Sequence, residues 1–236
     1  MAWCLIELFR NPDLLERVRA EVLSVYETDP VTGERLINLE KMLVLPLLQA
    51  VYVESLRMHV SMNVTREAAE PMTLDGYVLE KGAILQAPTE ISHYSEETWG
   101  APGHPATEFW PERHIRHVET TDDTGNTRRI PQFTMAGRTN DLFPFGLSHL
   151  LLDYDMMLMS ESIGGGIPVC PGRFFAKQEM MLAVALVVAR FEVEFVGWIN
   201  HDGTPSDRPA QNDAHWSGGA SVPPDRDMSV RWKRLW

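Results

Sequence analysis

Thirteen consecutive residues concentrate the chemical possibilities of this 236-residue chain: Gly164-Gly165-Gly166-Ile167-Pro168-Val169-Cys170-Pro171-Gly172-Arg173-Phe174-Phe175-Ala176. Cys170 stands immediately before Pro171, a residue suited to the first position of the long apolar helix that follows. A sulfur so placed faces unpaired backbone N–H groups and the positive end of the helix dipole. That setting favours thiolate, the form that ligates a metal. The three glycines remove side chains ahead of the sulfur, so the backbone can press against a flat ligand; Gly172 does the same from the helix side. A buried inert cysteine, a helix-end anion site and a nucleophilic cysteine are the other readings of this run. No His/Asn partner is obviously placed for the nucleophile, and the glycines match neither phosphate-binding fingerprint.

Two charged motifs accompany it. Glu54-Ser55-Leu56-Arg57 places opposite charges three apart on a helix, where they are surface neighbours. Alone, that is a solvated ion pair worth roughly a few tenths of a kcal/mol. Phe109-Trp110-Pro111-Glu112-Arg113, taken alone, is an aromatic–proline turn with an adjacent charge pair. His93, His114 and His117 lie in polar segments without metal-ligand spacing and read as exposed or core hydrogen-bonding residues.

The elements that must position these residues are legible as periodicity. An apolar helix over residues 3–9 is interrupted by Asn11-Pro12-Asp13, which opens a second helix. Its stripe is Leu14, Leu15, Val18, Val22 and Val25, and it ends in the polar segment 27–35. Pro46 opens a helix over 47–58 with Leu47, Leu48, Val51, Tyr52 and Leu56 on one side; this helix carries Glu54 and Arg57. Short strands fill residues 63–86, with turns at Asp75-Gly76 and Lys81-Gly82. Residues 87–142 are helix-poor, and 117–126 read as an exposed loop. A helix spans 172–191, its stretch 180–188 almost wholly apolar and therefore buried. A loop over 201–224 and a strand over 228–232 close the chain. No repeat or linker interrupts it, so one domain is expected.

Composition excludes other classes. With 44% hydrophobic and 23% charged residues the chain is globular, not disordered or fibrous. Two cysteines cannot build a disulfide framework and point to a reducing compartment or thiol chemistry. A formal net charge of −12 argues against nucleic-acid partners. No segment reaches the ~18–20 apolar residues of a membrane span. Met1-Ala2-Trp3 lacks the basic region and cleavage site of a signal peptide, so neither anchor nor signal is expected in this chain.

In this order and at these separations the three motifs resemble one family, the haem-thiolate monooxygenases of the cytochrome P-450 superfamily. The resemblance runs from Pro12 to the final strand; its specific part is Cys-Pro-Gly-Arg-x-Phe-Ala after the glycines. It implies a mainly α fold with small β-sheets (α+β). It implies haem b as cofactor, with Cys170 as the axial ligand whose thiolate pushes electron density onto iron and favours O–O cleavage. Gly166 and Gly172 would lie against the haem, and Arg66, ten residues before Gly76, would pair with a propionate. Glu54, Arg57 and Arg113 would form a buried cluster that locks the segment carrying the cysteine loop. The implied activity of the intact gene product is oxygen insertion into an apolar small molecule, with NADPH electrons delivered by a flavin reductase. Intact relatives are often on the endoplasmic reticulum membrane. A catalytically dead truncated relative, and a haem-thiolate isomerase or dehydratase needing no reductase, are the alternatives.

The sequence departs from the family pattern in three places. Ile163 stands seven residues before Cys170, where a phenylalanine is usual; Phe145, in Phe143-Pro144-Phe145-Gly146, stands 25 residues before it. Removing residues 146–163 would restore an uninterrupted loop, so this stretch is expected to be an insert, a retained intron or another gene-model error. Read as genuine, its Leu150, Leu151 and Met156 to Met159 would pack as a short extra helix. Pro168 replaces a basic residue and removes one propionate partner. Finally, the oxygen-activating helix belongs before Pro12, and residues 1–9 would be only its last turns. The chain thus resembles a C-terminal half truncated before that helix. Without a distal haem wall it is expected to bind haem weakly and oxygenate little. Thr89 and Glu90 are not expected to replace the missing acid/alcohol pair.

Overall fold

The computed structural model describes residues 1–121, 125–138, 141–144 and 170–236. Helix α1 spans Ala2–Arg10 and α2 Pro12–Leu23. Pro12 occupies the first turn of α2, Asp13 sits at its positive end, and the Asn11 side chain accepts from Leu14 N. Strands β1 (Tyr26–Thr28) and β2 (Arg35–Ile37) form a hairpin, followed by α3 (Leu39–Leu43) and α4 (Pro46–His59). Next come β3 (Val60–Glu67), β4 (Met72–Leu74), β5 (Tyr77–Leu79), β6 (Ile84–Pro88), α5 (Thr89–His93) and α6 (Glu96–Trp99). A 3-10 turn at Pro111–His114 leads into β7 (Ile115–Thr121) and β8 (Thr127–Phe133). Helix α7 (Arg173–Arg190) runs directly into β9 (Phe191–Ile199). The tail holds β10 (Pro205–Ser206), β11 (Gly219–Ser221) and β12 (Asp227–Arg234).

Among the described residues all strand pairings are antiparallel. β3 lies between β11 and β6, β9 between β10 and β12, and three two-stranded hairpins stand apart. The core is the junction of α1, α2, α4 and α7, where Leu8, Val18, Val22, Leu48, Val51, Val184 and Val188 are buried. Strands occupy nearly as many described residues as helices, so the fold is mixed rather than mainly α. Among the described residues no helix is long and apolar enough to cross a membrane.

Several local expectations are corrected. Within the loop expected over 117–126, residues 117–121 instead form a strand: β7 pairs with β8 from Ile115↔Phe133 to Thr121↔Thr127. The polar composition masks the β-branched pair Val118↔Ile130, and Gly125, at φ +83°, supplies turn geometry. The polar segment 27–35 likewise ends in paired strands, and 201–224 contains β10, β11 and a short 3-10 turn. Pro171 is not the first residue of α7; Gly172 caps it and Arg173 begins it, leaving Cys170 and Pro171 just ahead. The apolar run 180–188 is not wholly buried. A straight helix can turn only one stripe to the core, here Met181, Val184, Ala185 and Val188.

Helix α2 ties two neighbours by their ends. α4 has no side-chain cap of its own; the Glu21 carboxylate accepts from Leu47 N and Leu48 N, both at 2.9 Å. Burial pushes the Glu21 carboxyl up, against the lowering effect of those two bonds. Two residues earlier, Arg19 donates to Val188 O (2.7 Å) and Phe191 O (3.1 Å) at the end of α7. Glu21→Ala is expected to lower the unfolding free energy by about 1–2 kcal/mol in urea titrations, and Glu21→Gln, which keeps an acceptor oxygen, by less.

Candidate functional site

Glu54 is completely buried on α4, and so is Arg57 one turn on. The Arg57 guanidinium grips both carboxylate oxygens, Nε to Oε2 at 2.9 Å and Nη2 to Oε1 at 2.8 Å. Arg113 arrives on the 3-10 turn opened by Pro111 and donates its Nε to Oε1 at 2.8 Å. Trp110 N donates to the same oxygen at 3.1 Å. The three residues that the sequence reading grouped therefore meet at one carboxylate.

That reading missed four further members. His114 Nε2 lies 3.0 Å from Glu54 Oε2; because a carboxylate only accepts, the imidazole donates. Burial pushes His114 down, so it donates as a neutral ring whose buried Nδ1 has no partner among the described residues. Trp99 packs edge-on against His114 at 5.8 Å and lies under the guanidinium groups of Arg57 (5.4 Å) and Arg138 (5.7 Å). Arg138 donates to Thr98 O and Arg113 O. His93, fully buried, offers its carbonyl to Arg57 Nη1 (2.6 Å), while its Nε2 accepts from Phe143 N (3.2 Å). Only the charges on Arg113 and Arg138 and the breadth of Trp99 hinted at this in the sequence; separations of 36 to 60 residues hid the histidines.

The remaining guanidinium N–H groups go to backbone carbonyls. Arg57 reaches Glu108 O; Arg113 reaches Trp99 O, Pro105 O (3.2 Å) and Glu108 O (3.0 Å). These are irregular segments whose carbonyls lack a regular ladder. Burial alone would raise the Glu54 carboxyl, but the Arg57 and His114 hydrogen bonds outweigh it and hold it well below the usual carboxylate range.

Cys170 is exposed just ahead of α7. Its carbonyl accepts from Arg173 N (3.3 Å) and Arg173 Nη1 (3.2 Å). A Cβ added at Gly172 would stand 3.8 Å from Cys170 Sγ. Arg66 is exposed on β3, and its Nη1 donates to Thr65 O at 2.7 Å. Gly166, Pro168 and the suspected insert 146–163 lie outside the described residues. Thr89 is fully buried, its hydroxyl accepting from Met62 N (2.9 Å), which ties α5 to β3.

A family model described as Cytochrome P450 matches residues 1–127, more than half of the chain, which therefore belongs to the cytochrome P450 family. The chain is 50% identical over 234 residues to cytochrome P450 monooxygenase calL of Penicillium decumbens, covering 99% of this chain and 39% of that protein. Identity to cytochrome P450 monooxygenase efuG of Hormonema carpetanum is 26% over 252 residues, 98% of this chain and 40% of that protein. The fold resembles the crystal structure of the cytochrome P450DA heme domain, with a TM-score of 0.63 at 19% identity, over 100% of this chain and 40% of that one. The chain thus spans about two fifths of the length of the curated relatives it matches.

Among the described residues no group of three His, Cys, Asp or Glu could hold a bare metal ion. A single accessible thiol suits a metal whose remaining positions are filled by its own macrocycle.

Two measurements probe the cluster. Glu54→Gln leaves two buried guanidinium groups without a counter-charge and is expected to cost about 3–5 kcal/mol in urea unfolding at pH 7. A loss below about 1 kcal/mol would return Glu54 and Arg57 to the class of solvated pairs. Burial, aided by Arg57, pushes His93 down from 6.5 to about 4. Its folded value is depressed, so the stability it confers is complete above pH 6.5 and is lost as pH falls toward 4, roughly 3 kcal/mol in all. His93→Gln, which can still accept from Phe143 N, is expected to flatten that part of the pH–stability curve.

Proposed function

We propose that this chain is the C-terminal, haem-anchoring part of a haem-thiolate monooxygenase, with Cys170 as the iron ligand. The observation that carries this reading is the accessible thiol of Cys170 ahead of the 18-residue helix α7 in a member of the cytochrome P450 family. Cys170 and Pro171 stand just ahead of Gly172, which caps α7. Gly172 keeps the flank of the sulfur free of a side chain, and Gly166 is assigned the same role ahead of it. Arg66, exposed on β3, is assigned to a carboxylate of the cofactor. The Glu54 cluster fixes the irregular backbone between His93 and His114 to α4, and α4 packs on α7; through that chain of contacts it positions the helix behind Cys170. Haem held by a thiolate supplies oxygen activation when bound.

The activity proposed for the whole protein is oxygen insertion into an apolar small molecule, with electrons from NADPH through a flavin reductase, on the endoplasmic reticulum membrane as in many intact relatives. Residues 1–236 are proposed to form a single partial domain. Residues 146–163 are proposed to be an insert or retained intron, and a mature transcript lacking those codons is the expected result of sequencing across the joint. Spanning two fifths of its relatives' length, this stretch by itself is proposed to bind haem weakly and turn over little.

Hemin reconstitution followed by reduction under carbon monoxide tests the assignment. The protein is expected to give the absorption signature of a thiolate-bound iron, and Cys170→Ser to lose it while retaining its far-ultraviolet circular dichroism. Identical spectra for the two proteins would remove Cys170 as the ligand.

A further inference from the structure

The first turn of α7 breaks an electrostatic rule. A helix start is the positive end of the backbone dipole, where acidic side chains are favourable and basic ones are not. α7 has no acidic residue in its first turn and no side-chain cap, and its first residue is Arg173. The guanidinium folds back ahead of the helix. Its Nη1 donates to Cys170 O at 3.2 Å, and its Cζ lies over the Phe174 ring, 4.1 Å from the centroid. Two more features of this pose are unfavourable. Nε is buried without a hydrogen-bond partner among the described residues, and no carboxylate among them pairs with the side chain. Arg57 and Arg113, also withdrawn from water, share the Glu54 carboxylate instead. A half-buried cation set against a like-signed dipole, with an orphan donor, is a local fault of the kind that proteins keep at functional sites.

We propose that Arg173 is a positioning residue for Cys170: it braces the peptide that carries the sulfur and brings to it the positive charge that the sulfur needs once it holds iron. The proposal rests on the reading of Cys170 as the iron ligand. A sulfur that ligates a metal is anionic, and Arg173 sets a fixed cation against the same residue. The brace is double. Cys170 O accepts from Arg173 N (3.3 Å) as well as from Nη1, so the carbonyl ahead of Pro171 is held by both the backbone and the side chain of one residue. The sulfur itself stays exposed, and a Cβ at Gly172 would stand 3.8 Å from it. In the haem-free chain the cation at the helix start is unfavourable; beside an anionic iron-bound sulfur it becomes favourable. Removing the charge therefore acts with opposite signs on the two forms, which a merely structural residue would not do.

Two variants of the full chain test this. Arg173→Gln removes the charge and keeps an amide donor for the Cys170 carbonyl; Arg173→Lys restores the charge. In urea unfolding of the haem-free protein, the folded-to-unfolded ratio of Arg173→Gln is expected to be about threefold above the parent, with Arg173→Lys at the parent value. After hemin reconstitution and reduction under carbon monoxide, Arg173→Gln is expected to keep less than about a third of the parent's thiolate-bound absorption, and Arg173→Lys nearly all of it. A Gln variant that is less stable than the parent when haem-free, or that keeps the full signature, would overturn the proposal. A parent protein without any thiolate signature would instead overturn the reading of Cys170, and the proposal with it.

Discussion

A carboxylate deprived of all contact with water must recover its lost hydration from the protein, and Glu54 does so with five hydrogen bonds: two from Arg57 and one each from Arg113, His114 and Trp110 N. The consequence spreads outward. Each guanidinium recruited to Glu54 has N–H groups left over, and buried N–H groups also need acceptors. They find them on His93, Trp99, Pro105 and Glu108, carbonyls of a stretch with little regular structure. One buried negative charge thereby organises a segment that neither a helix nor a sheet would hold. The net energy of such a cluster is small beside the cost of losing one partner, which makes it a better device for fixing a single arrangement than for adding stability.

What the sequence disclosed, and what it withheld, follows from the range of the forces involved. α2, α4 and α7 are visible because their stripes repeat at 3.6 residues and because Pro12 and Pro46 mark their first turns. The pairing of Glu54 with Arg57 is a spacing of three on one helix and could be read directly. Arg113 could not; its 59-residue separation from Glu54 carries no local signal, and only family resemblance grouped it with the other two. His93 and His114 were still harder to find. They sit among polar neighbours, yet both are buried, because the backbone around them turns inward to meet Arg57 and Glu54. The β7–β8 ribbon was misread for the opposite reason: its pairing rests on backbone bonds and a few β-branched residues, while charged side chains dominate its composition. Pro171 shows how little a residue type fixes a boundary, since the helix it seemed to open begins two residues later.

Two buried histidines share a chemical logic: in each ring, geometry commits one nitrogen and thereby defines the other. At His114 the carboxylate takes Nε2–H and leaves Nδ1 as a bare acceptor among cations and aromatic rings. At His59, the last residue of α4, the amide oxygen of Asn212, whose Nδ2 donates to Met58 O, takes Nδ1–H and leaves Nε2 facing a carboxylate. His114 lies between the Glu54 carboxylate and the guanidinium groups of Arg138 and Arg57, whereas His59 faces Glu7.

Helix α2 shows how a small bundle can tell one chain direction from the other. Greasy faces are indifferent to whether a neighbouring helix runs up or down, since valine packs equally well either way. Arg19 and Glu21 are not indifferent. One meets the partial negative charge of a carbonyl end and the other the partial positive charge of an amide end, and those ends belong to different helices. Flipping either neighbour would bring like charges face to face. A pair of side chains two positions apart therefore rejects inverted topologies that apolar packing alone would accept.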